Sequence, residues 1–410
     1  MADQNSTKSD AGVLMCAATA TSPQDAMSVP KDAYANAQLA LFQSFLTNSE
    51  DQRSGLSNAV PLWDSIPRYS IPRQRMNSLR TAEGFLDVFD LSFTLGGRTI
   101  IARIHPARVI TQSGKRLSYY PGEREEIIEH ALRRLATEQN SGFFDSPSYR
   151  SGVRFSLHQL RSEIARCGHT MRYDQLKEGL DVLSGSTIEI IAENADGEKA
   201  FAKSAYLVSL TGITRREYDS DRSARWTCQF HPLITQAIDR VTYRQFNYDR
   251  LMKCTTRLSR WLFTQLVLKY TQAAVSNTFD MRFSTIHRDS AQLSGYARIR
   301  DAITAVDEAF EQQKSLGTLL HVKKTELRGR RKKIEDVVYT LYPSPEFVRE
   351  QKAANRRASG ASAEPAACSS DQPAGPARAS LPRTAGPSSG PQALDRPLAD
   401  MAQRLRKSAG

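Results

Sequence analysis

The feature that most constrains the fold is a pair of helical segments separated by a break of only a few residues. Apolar residues recur every three or four positions in residues 156–166 and again in residues 170–183, which is the spacing of an amphipathic helix. Ser156 suits the position that caps the start of the first helix, and Cys167 followed by Gly168 interrupts the pattern between the two. Two helices joined by so short a break predict a helix-turn-helix.

The segments around this pair complete an ordered set of elements. Two strands are predicted at 88–95 and 98–104 on either side of a pair of glycines, followed by a helix over 123–137. After the helix pair, residues 187–192 and 202–210 read as two strands joined by a polar turn. A helix, a helix pair and a hairpin in this order are typical of a winged-helix domain, and we interpret the last hairpin as its wing.

A second stretch of the chain repeats the order of elements without repeating the residues. Its predicted elements are a strand (226–231), two helices (231–240 and 248–271), a strand (279–283), two helices on either side of Ser294 and Gly295 (284–291 and 296–314) and two strands (319–327 and 333–342). We therefore predict an α+β fold with two tandem winged-helix domains, at 85–224 and 225–349, between disordered N- and C-terminal segments.

Composition sets the limits of these two domains. From Ala353 to Gly410 the chain has no Phe, Tyr, Trp, Ile or Val and carries seven of its 18 prolines. Such a segment buries too little apolar area to offset the entropy of ordering it. We assign residues 350–410 to a disordered tail, residues 1–60 to a flexible N-terminal region, and the proline-punctuated residues 61–84 to an extended connector.

The net charge favours a polyanionic partner. Lys and Arg number 56 against 44 Asp and Glu, which gives a net charge of +12 and favours nucleic acid or an anionic surface. No apolar run approaches the ~20 residues of a membrane helix, and the polar N-terminus does not resemble a signal peptide. The five cysteines include no CxxC pair. We expect a cytoplasmic protein without membrane association.

The common catalytic and cofactor motifs are absent from the sequence. It contains no P-loop, GxGxxG or GxSxG motif, and its seven histidines never occur as HxH or HExxH. Tyr119 and Tyr120 could serve as nucleophiles in a DNA-nicking enzyme, but adjacent tyrosines beside a strand are more often packing residues. We therefore predict no enzymatic activity, no metal and no cofactor.

Base recognition is expected from the second helix of each pair, because that helix enters the major groove with its N-terminal part. The candidates are Arg172, Tyr173, Gln175 and Lys177 in the first domain and Tyr296, Arg298 and Arg300 in the second. Arginine matches the acceptors of guanine, and glutamine matches adenine. An ordinary solvent-exposed face explains Arg172 and Lys177 equally well. Arg298 and Arg300 could instead form ion pairs with Asp301 or Asp307.

The turn of the last hairpin is the most basic stretch of the chain. Its candidate phosphate-binding residues are Lys323, Lys324, Arg328, Arg330, Arg331, Lys332 and Lys333, accompanied by a single acid, Glu326. Each phosphate that such a turn neutralises makes binding more sensitive to salt. A solvated hairpin tip without DNA contacts is the alternative interpretation.

The segment QLALF at residues 38–42 is similar to the short motif by which replication proteins dock on the bacterial sliding clamp. In that interpretation the Gln38 amide forms hydrogen bonds in one sub-pocket, while Leu41 and Phe42 fill an apolar cleft with Leu39 beside them. A short amphipathic helix with Leu39, Phe42 and Leu46 on one stripe explains the segment equally well.

Together these features resemble the TrfA-type plasmid replication initiators over residues 38–342. The resemblance rests on QLALF, on PLWDSIPR after it, on FSLHQLRSEIARCGHTMRYDQLKEGLDVL and YDRLMKCTTRLSRWLF, and on the closing helix with its basic hairpin. It implies binding to repeated origin sites (iterons), DNA opening without nucleotide hydrolysis, recruitment of the host helicase, initiator proteins and sliding clamp, and copy control through a homodimer. The sequence departs from the family at Ala40, where related motifs often have Ser or Asp, and in its tail.

The resemblance leads us to expect a non-enzymatic plasmid replication initiator that binds double-stranded origin DNA in the bacterial cytoplasm. A winged-helix transcriptional repressor is the alternative, and it would have no need of residues 38–42. A nicking enzyme would become covalently attached to DNA through a tyrosine. An RNA-binding or membrane-surface protein would show no preference for repeated duplex sites.

Overall fold

The computed structural model describes residues 56–361, apart from residues 96 and 149 and the segments 112–113, 138–140, 146–147, 194–198, 214–224, 240–241 and 330–332. Several predicted features lie outside this part of the chain. They are the QLALF segment with Gln38, Leu39, Leu41 and Phe42, the turn residues Arg330, Arg331 and Lys332, and the tail beyond residue 361.

Helices and strands alternate along the described chain. The strands are β1 (Leu56–Ala59), β2 (Phe89–Leu95), β3 (Arg98–His105), β4 (Ala107–Ile110), β5 (Arg116–Tyr119), β6 (Gly142–Asp145), β7 (Arg150–Phe155), β8 (Thr187–Glu193), β9 (Lys199–Ala205), β10 (Leu207–Thr211), β11 (Trp226–Phe230), β12 (Arg244–Asn247), β13 (Phe279–Arg282), β14 (Leu319–Arg328) and β15 (Ile334–Pro343). The helices are α1 (Pro61–Ser65), α2 (Arg73–Leu79), α3 (Glu123–Leu135), α4 (Leu157–Arg166), α5 (Tyr173–Gly185), α6 (Pro232–Asp239), α7 (Tyr248–Met252), α8 (Arg257–Lys269), α9 (Phe283–Ser290), α10 (Ile299–Ser315) and α11 (Pro345–Ala361).

The first winged-helix domain is built on α3 and the helix pair α4 and α5. Ser156 caps α4 by accepting the Gln159 N–H at 3.0 Å, and Gly168, at a φ of +87°, lies in the turn before α5. Gly179 lets α5 approach α3 closely, since a Cβ atom there would lie 2.4 Å from the Cδ1 atom of Ile128. An antiparallel sheet with the strand order β10–β11–β7–β6 completes the domain.

The sequence prediction of the first wing is wrong. Strand β8 pairs with β3 and β9 pairs with β8, in a separate sheet of order β2–β3–β8–β9. In this sheet the buried Ile188 and Ile190 lie opposite Ile104 and Ala102. By strand order, β10 and β11 occupy the positions of the two wing strands, and most of the residues between them lie outside the described part of the chain. Alternating apolar residues identify a strand but not its partner, so the sequence alone did not distinguish the two hairpins.

The second winged-helix domain follows the order α8, β13, α9, α10, β14 and β15. Its sheet has the order β13–β15–β14, which matches β7–β11–β10 in the first domain. Helix α10 buries Val306 and Phe310, and the ring of Phe310 lies 4.8 Å from that of Tyr339 on β15. The predicted α+β fold with two tandem winged-helix domains is confirmed.

The domain limits differ from the predicted ones because of long-range strand pairing. Strand β11 lies within the sheet of the first domain, where Cys228 is opposite Val153 of β7, although the prediction begins the second domain at residue 225. Strand β1 falls in the predicted flexible region, yet its Leu56 pairs with Asn247 of β12. Each pairing joins segments that are distant along the chain, so local sequence patterns do not reveal it.

The predicted tail at 350–410 begins too early, because α11 continues to Ala361. Gln351 and Ala354 are buried. Arg244 of β12 donates hydrogen bonds to the Gln351 Oε1 atom at 2.7 Å and to the Asn355 Oδ1 atom at 2.9 Å. Polar contacts therefore stabilise this part of the helix, whose composition offers little apolar area to bury.

The predicted extended connector is part of the folded core. It contains α1 and α2, and Trp63 is fully buried and stacked on His231 with 4.3 Å between ring centroids. Arg68 forms buried ion pairs with Asp64 and with Glu129 of α3, each at 3.0 Å. The connector is therefore anchored to the first helix of the first domain.

Candidate nucleic-acid interface

The turn of each helix-turn-helix lines a cleft between the two domains. The first cleft is bounded by the turn before α5, the start of α3 and helix α2. The second is bounded by the turn before α10, by α10 itself and by the start of α8. Glu123 and Arg257 line both clefts. The two turns therefore border one shared depression, which we call the junction valley.

A buried ion cluster joins the two domains beside this valley. Arg260 of α8 is 1% exposed, and it donates to the Glu126 Oε2 atom at 2.9 Å and to the Glu123 Oε1 atom at 2.5 Å. Burial raises the pKa of the Glu126 carboxyl, and Arg260 opposes that rise only in part. Since separating such a pair would leave a buried charge uncompensated, the cluster fixes α8 against α3 and thereby the spacing of the two helix-turn-helix motifs.

Helix α5 begins at Tyr173, three residues later than predicted. Arg172 is consequently the N-cap residue, and its side chain is 75% exposed and lies 3.1 Å from Asp174. The Gln175 Oε1 atom accepts the backbone N–H of Arg172 at 2.9 Å. That contact occupies the amide oxygen that the prediction assigns to adenine, so in this structure Gln175 is a capping residue.

The start of α5 nevertheless presents an exposed group of predicted residues. Tyr173 is 40% exposed, and the guanidinium group of Arg161 lies 4.9 Å from its ring centroid. Lys177 follows one helical turn later on the same exposed side. Arg172, Tyr173 and Lys177 are thus brought together, and their contact with DNA stays a prediction.

Helix α10 begins at Ile299, so Tyr296 and Arg298 precede the helix in which the sequence predicts them. All residues from 294 to 301 are exposed. Arg298 is the N-cap residue, and Arg300 lies in the first turn. The three predicted base-reading residues therefore lie together at the exposed start of α10.

The ion pairs considered for Arg298 and Arg300 are not formed in the described part of the chain. The Asp307 carboxylate instead binds the Lys324 Nζ atom at 2.7 Å and accepts the Tyr339 hydroxyl at 2.8 Å. The two guanidinium groups therefore remain available to an external partner.

The hairpin of β14 and β15 carries the described part of the basic turn. Lys324 is paired with Asp307, and Arg328 lies 2.5 Å from Glu326. Lys323 and Lys333 have exposed side chains. Among the described residues of the hairpin, Lys323 and Lys333 are exposed and form no ion pair, whereas Lys324 and Arg328 already have acidic neighbours.

Helix α2, which the sequence pattern did not predict, is a basic helix beside the valley. The Arg73 Nη2 atom of α2 lies 2.9 Å from the Glu178 Oε1 atom of α5. The Arg75 Nη1 atom donates to the Ser294 Oγ atom at 3.1 Å, in the turn before α10. The only available signal is the RQR sequence without a neighbouring acid, and the surrounding prolines led to its interpretation as a connector.

The two tyrosines considered as nucleophiles are buried. Tyr119 is 5% exposed, with Arg73 over its ring at 4.4 Å from the centroid. Tyr120 is 3% exposed, and its hydroxyl donates to the Asp87 carbonyl. Among the residues with described coordinates, no three His, Cys, Asp or Glu side chains form a metal-binding group, and no helix has the length and apolar content to cross a bilayer.

Comparison with known proteins gives distant structural similarities. No protein-family model matches the chain, and no curated protein matches it. A crystal structure of a selenomethionine derivative of domains 2 and 3 of RctB is 9% identical, with a TM-score of 0.44 over 70% of this chain and 98% of the other. A second crystal structure of RctB domains 2–3 gives 9% identity and a TM-score of 0.38 over 68% and 98%.

The third similarity is to a crystal structure of the Pi initiator protein in complex with iteron DNA. It is 12% identical, with a TM-score of 0.38 over 59% of this chain and 98% of the other.

Proposed function

We propose that this protein is a non-enzymatic replication initiator that binds repeated double-stranded sites at a plasmid origin through its two winged-helix domains. The observation that carries the proposal is that two helix-turn-helix turns border one junction valley beside the buried pair of Arg260 and Glu126. The first turn presents Arg172, and the second presents Arg298 and Arg300.

Two such motifs on one body suit two successive major grooves, which lie one helical turn, about 34 Å, apart on the same face of a duplex. Arg298 and Arg300 have the donor geometry that matches guanine in the major groove. Reading two grooves adds base contacts and raises the ratio of specific to non-specific affinity. The same contacts offset the cost of bending an A·T-rich flank.

Phosphate binding is assigned to the hairpin of β14 and β15. Lys323 lies on β14 and Lys333 directly precedes β15, and the sequence between them adds Arg330, Arg331 and Lys332. Phosphate contacts of this kind position a protein on a duplex without selecting a sequence. This part of the interface therefore adds affinity, while the helix starts provide specificity.

The later steps of initiation rest on the family resemblance of the sequence. They are DNA opening without nucleotide hydrolysis, recruitment of the host helicase and initiator proteins, clamp docking through residues 38–42, and copy control through a homodimer. These steps need no catalytic site in this chain, and they take place in the bacterial cytoplasm.

Selection from a random duplex library tests the DNA-binding claim. The full-length chain is expected to enrich one sequence of about 20 base pairs, two turns of duplex, which also occurs as direct repeats beside an A·T-rich stretch near its gene. Failure to enrich any duplex, or equal binding to random RNA, would contradict the proposal.

Capture of purified sliding clamp separates the initiator from a winged-helix repressor. Replacing Gln38, Leu41 and Phe42 together by Ala is expected to abolish capture while binding to the selected duplex persists. Gln43→Ala, a neighbouring glutamine outside the motif, is the matched control and should retain capture. A wild-type chain that binds its repeats but never captures the clamp would favour the repressor.

A further inference from the structure

A short basic helix lies between the two helix-turn-helix motifs. Helix α2 has the sequence RQRMNSL, with Arg80 directly after it and no acidic residue. It contacts the first motif through Arg73 and Glu178 of α5, and the second through Arg75 and Ser294. Because α2 touches both motifs, its exposed side belongs to the surface that separates the two base-reading segments.

Two arginines on this surface form no ion pair among the described residues. The hydrogen-bond partner of Arg75 is the neutral Ser294 side chain. Arg257, the first residue of α8, donates through its Nη1 atom to the Ser70 carbonyl at 2.9 Å and the Tyr69 carbonyl at 3.4 Å. The carbonyls hold the Arg257 guanidinium in place without neutralising it.

The surroundings of Arg257 favour an anion. Burial lowers the pKa of its guanidinium, and the acids Glu123 and Glu126 oppose that change only in part, since Arg260 already engages both of them. A partly desolvated cation of this kind is stabilised by a hydrogen-bonded anion. Arg257 also lines both clefts of the junction valley, so an anion that binds there lies between the two turns.

The geometry of duplex DNA places phosphates at this position. A protein that reads two successive major grooves on one face of a duplex has the intervening minor groove, with its two phosphate strands, opposite the surface between its reading segments. We infer that Arg75 and Arg257 bind backbone phosphates between the two base-reading segments, as a third and sequence-independent DNA contact. The inference rests on the proposed function and extends it to residues outside both helix-turn-helix motifs.

Salt dependence of binding tests this contact with the duplex selected by the wild-type chain. Arg75→Gln and Arg257→Gln are each expected to weaken binding about eightfold at 0.1 M salt and to reduce the slope of log K against log[salt] by about 0.9, on selected and random duplexes alike. Arg103→Gln is the control. It removes the same charge from the exposed face of β3, where Arg103 is paired with Asp90 at 2.9 Å, and should leave the slope unchanged.

A second measurement neutralises phosphates of the DNA and compares the wild-type chain with the variant that carries both substitutions. Uncharged methylphosphonate linkages at the centre of the selected duplex are expected to weaken wild-type binding, with no further loss for the variant that carries both substitutions. Unchanged wild-type binding, or an equal loss for the double variant, would overturn the third contact. Retained selection of one duplex would then leave the proposed function standing, whereas a wild-type chain that selects no duplex would remove both.

Discussion

At the scale of single residues, Arg298 and Arg300 carry the sharpest prediction of base recognition. Replacing either by Ala is expected to cost about 1–3 kcal/mol on the selected duplex and to relax the base preference, because a bidentate contact to guanine is lost. Fluorescence anisotropy on selected and random duplexes measures both effects. Arg349→Ala, which removes an exposed arginine of α11, is the matched control. Equal losses on the two duplexes would mean that this turn does not read bases.

Residue chemistry was predictable at these turns, but the role of each side chain depends on where the helix begins. The sequence identified Arg172, Tyr173 and Lys177, which lie together on the exposed start of α5. It also assigned Gln175 to base reading, whereas its amide oxygen caps the helix at Arg172. A shift of three residues in the helix start decides between those two roles, and apolar periodicity does not fix a boundary that finely.

At the scale of elements, Gly179 tests the contact between α3 and α5. Alanine is the better helix former, yet Gly179→Ala is expected to destabilise the fold by about 1–3 kcal/mol through overpacking, since its Cβ atom would lie 2.4 Å from the Ile128 Cδ1 atom. Urea unfolding measures the change. Adding Ile128→Val removes that Cδ1 atom and should recover stability relative to Gly179→Ala alone.

Gly295→Ala, in the turn before α10, is the control for this substitution. A Cβ atom there would meet nothing within 4 Å, so the free energy of unfolding should be nearly unchanged. A Gly179→Ala variant at least as stable as the wild type would contradict a close approach of α3 and α5. That approach positions α5, so the result also bears on how the first helix-turn-helix is presented.

Elements with a strong local pattern were predictable, and their partners were not. Periodicity identified α4, α5 and β8 within a few residues, whereas the strand predicted at 202–210 merges the end of β9 with β10. It did not reveal that β8 pairs with β3, because Ile104 and Ile188 lie opposite each other only after residues far apart along the chain have come together. The basic helix α2 was missed for the same reason, since Arg75 and Ser294 are separated by 219 residues.

At the scale of the whole molecule, segments predicted as linkers hold the two domains together. Strand β1 reaches β12, and Trp63 of α1 donates to the Glu129 Oε1 atom of α3 at 2.7 Å. Composition assigned residues 1–60 to a flexible region because they are mostly polar and low in aromatic residues, and residues 61–84 to an extended connector because of their prolines. Their order comes from buried ion pairs such as Arg68 with Glu129, whose contribution exists only in the folded chain.

This buried network makes stability depend on pH. Burial lowers the pKa of His130 and of His231 to about 3, with Arg133 and Arg68 respectively adding to the effect. Histidines in the unfolded chain titrate near pH 6.5. Below that pH the unfolded state binds more protons than the folded state, so the free energy of unfolding falls as the pH drops from 6.5 toward 3. Each histidine accounts for a loss of about 2 kcal/mol between pH 6.5 and 5.

Replacing His231 by Asn tests this assignment, because Asn can still accept the Leu233 N–H, which donates to the His231 Nδ1 atom at 3.1 Å. The variant should lose about 2 kcal/mol less than the wild type between pH 6.5 and 5 in urea unfolding. The raised pKa of Glu126 acts in the opposite direction, but it contributes equally to both proteins and cancels in the difference. His158→Gln, at an exposed position, should match the wild type. A His231→Asn variant with the wild-type pH dependence would show that His231 is not held neutral against Trp63, and that the connector is not anchored as described.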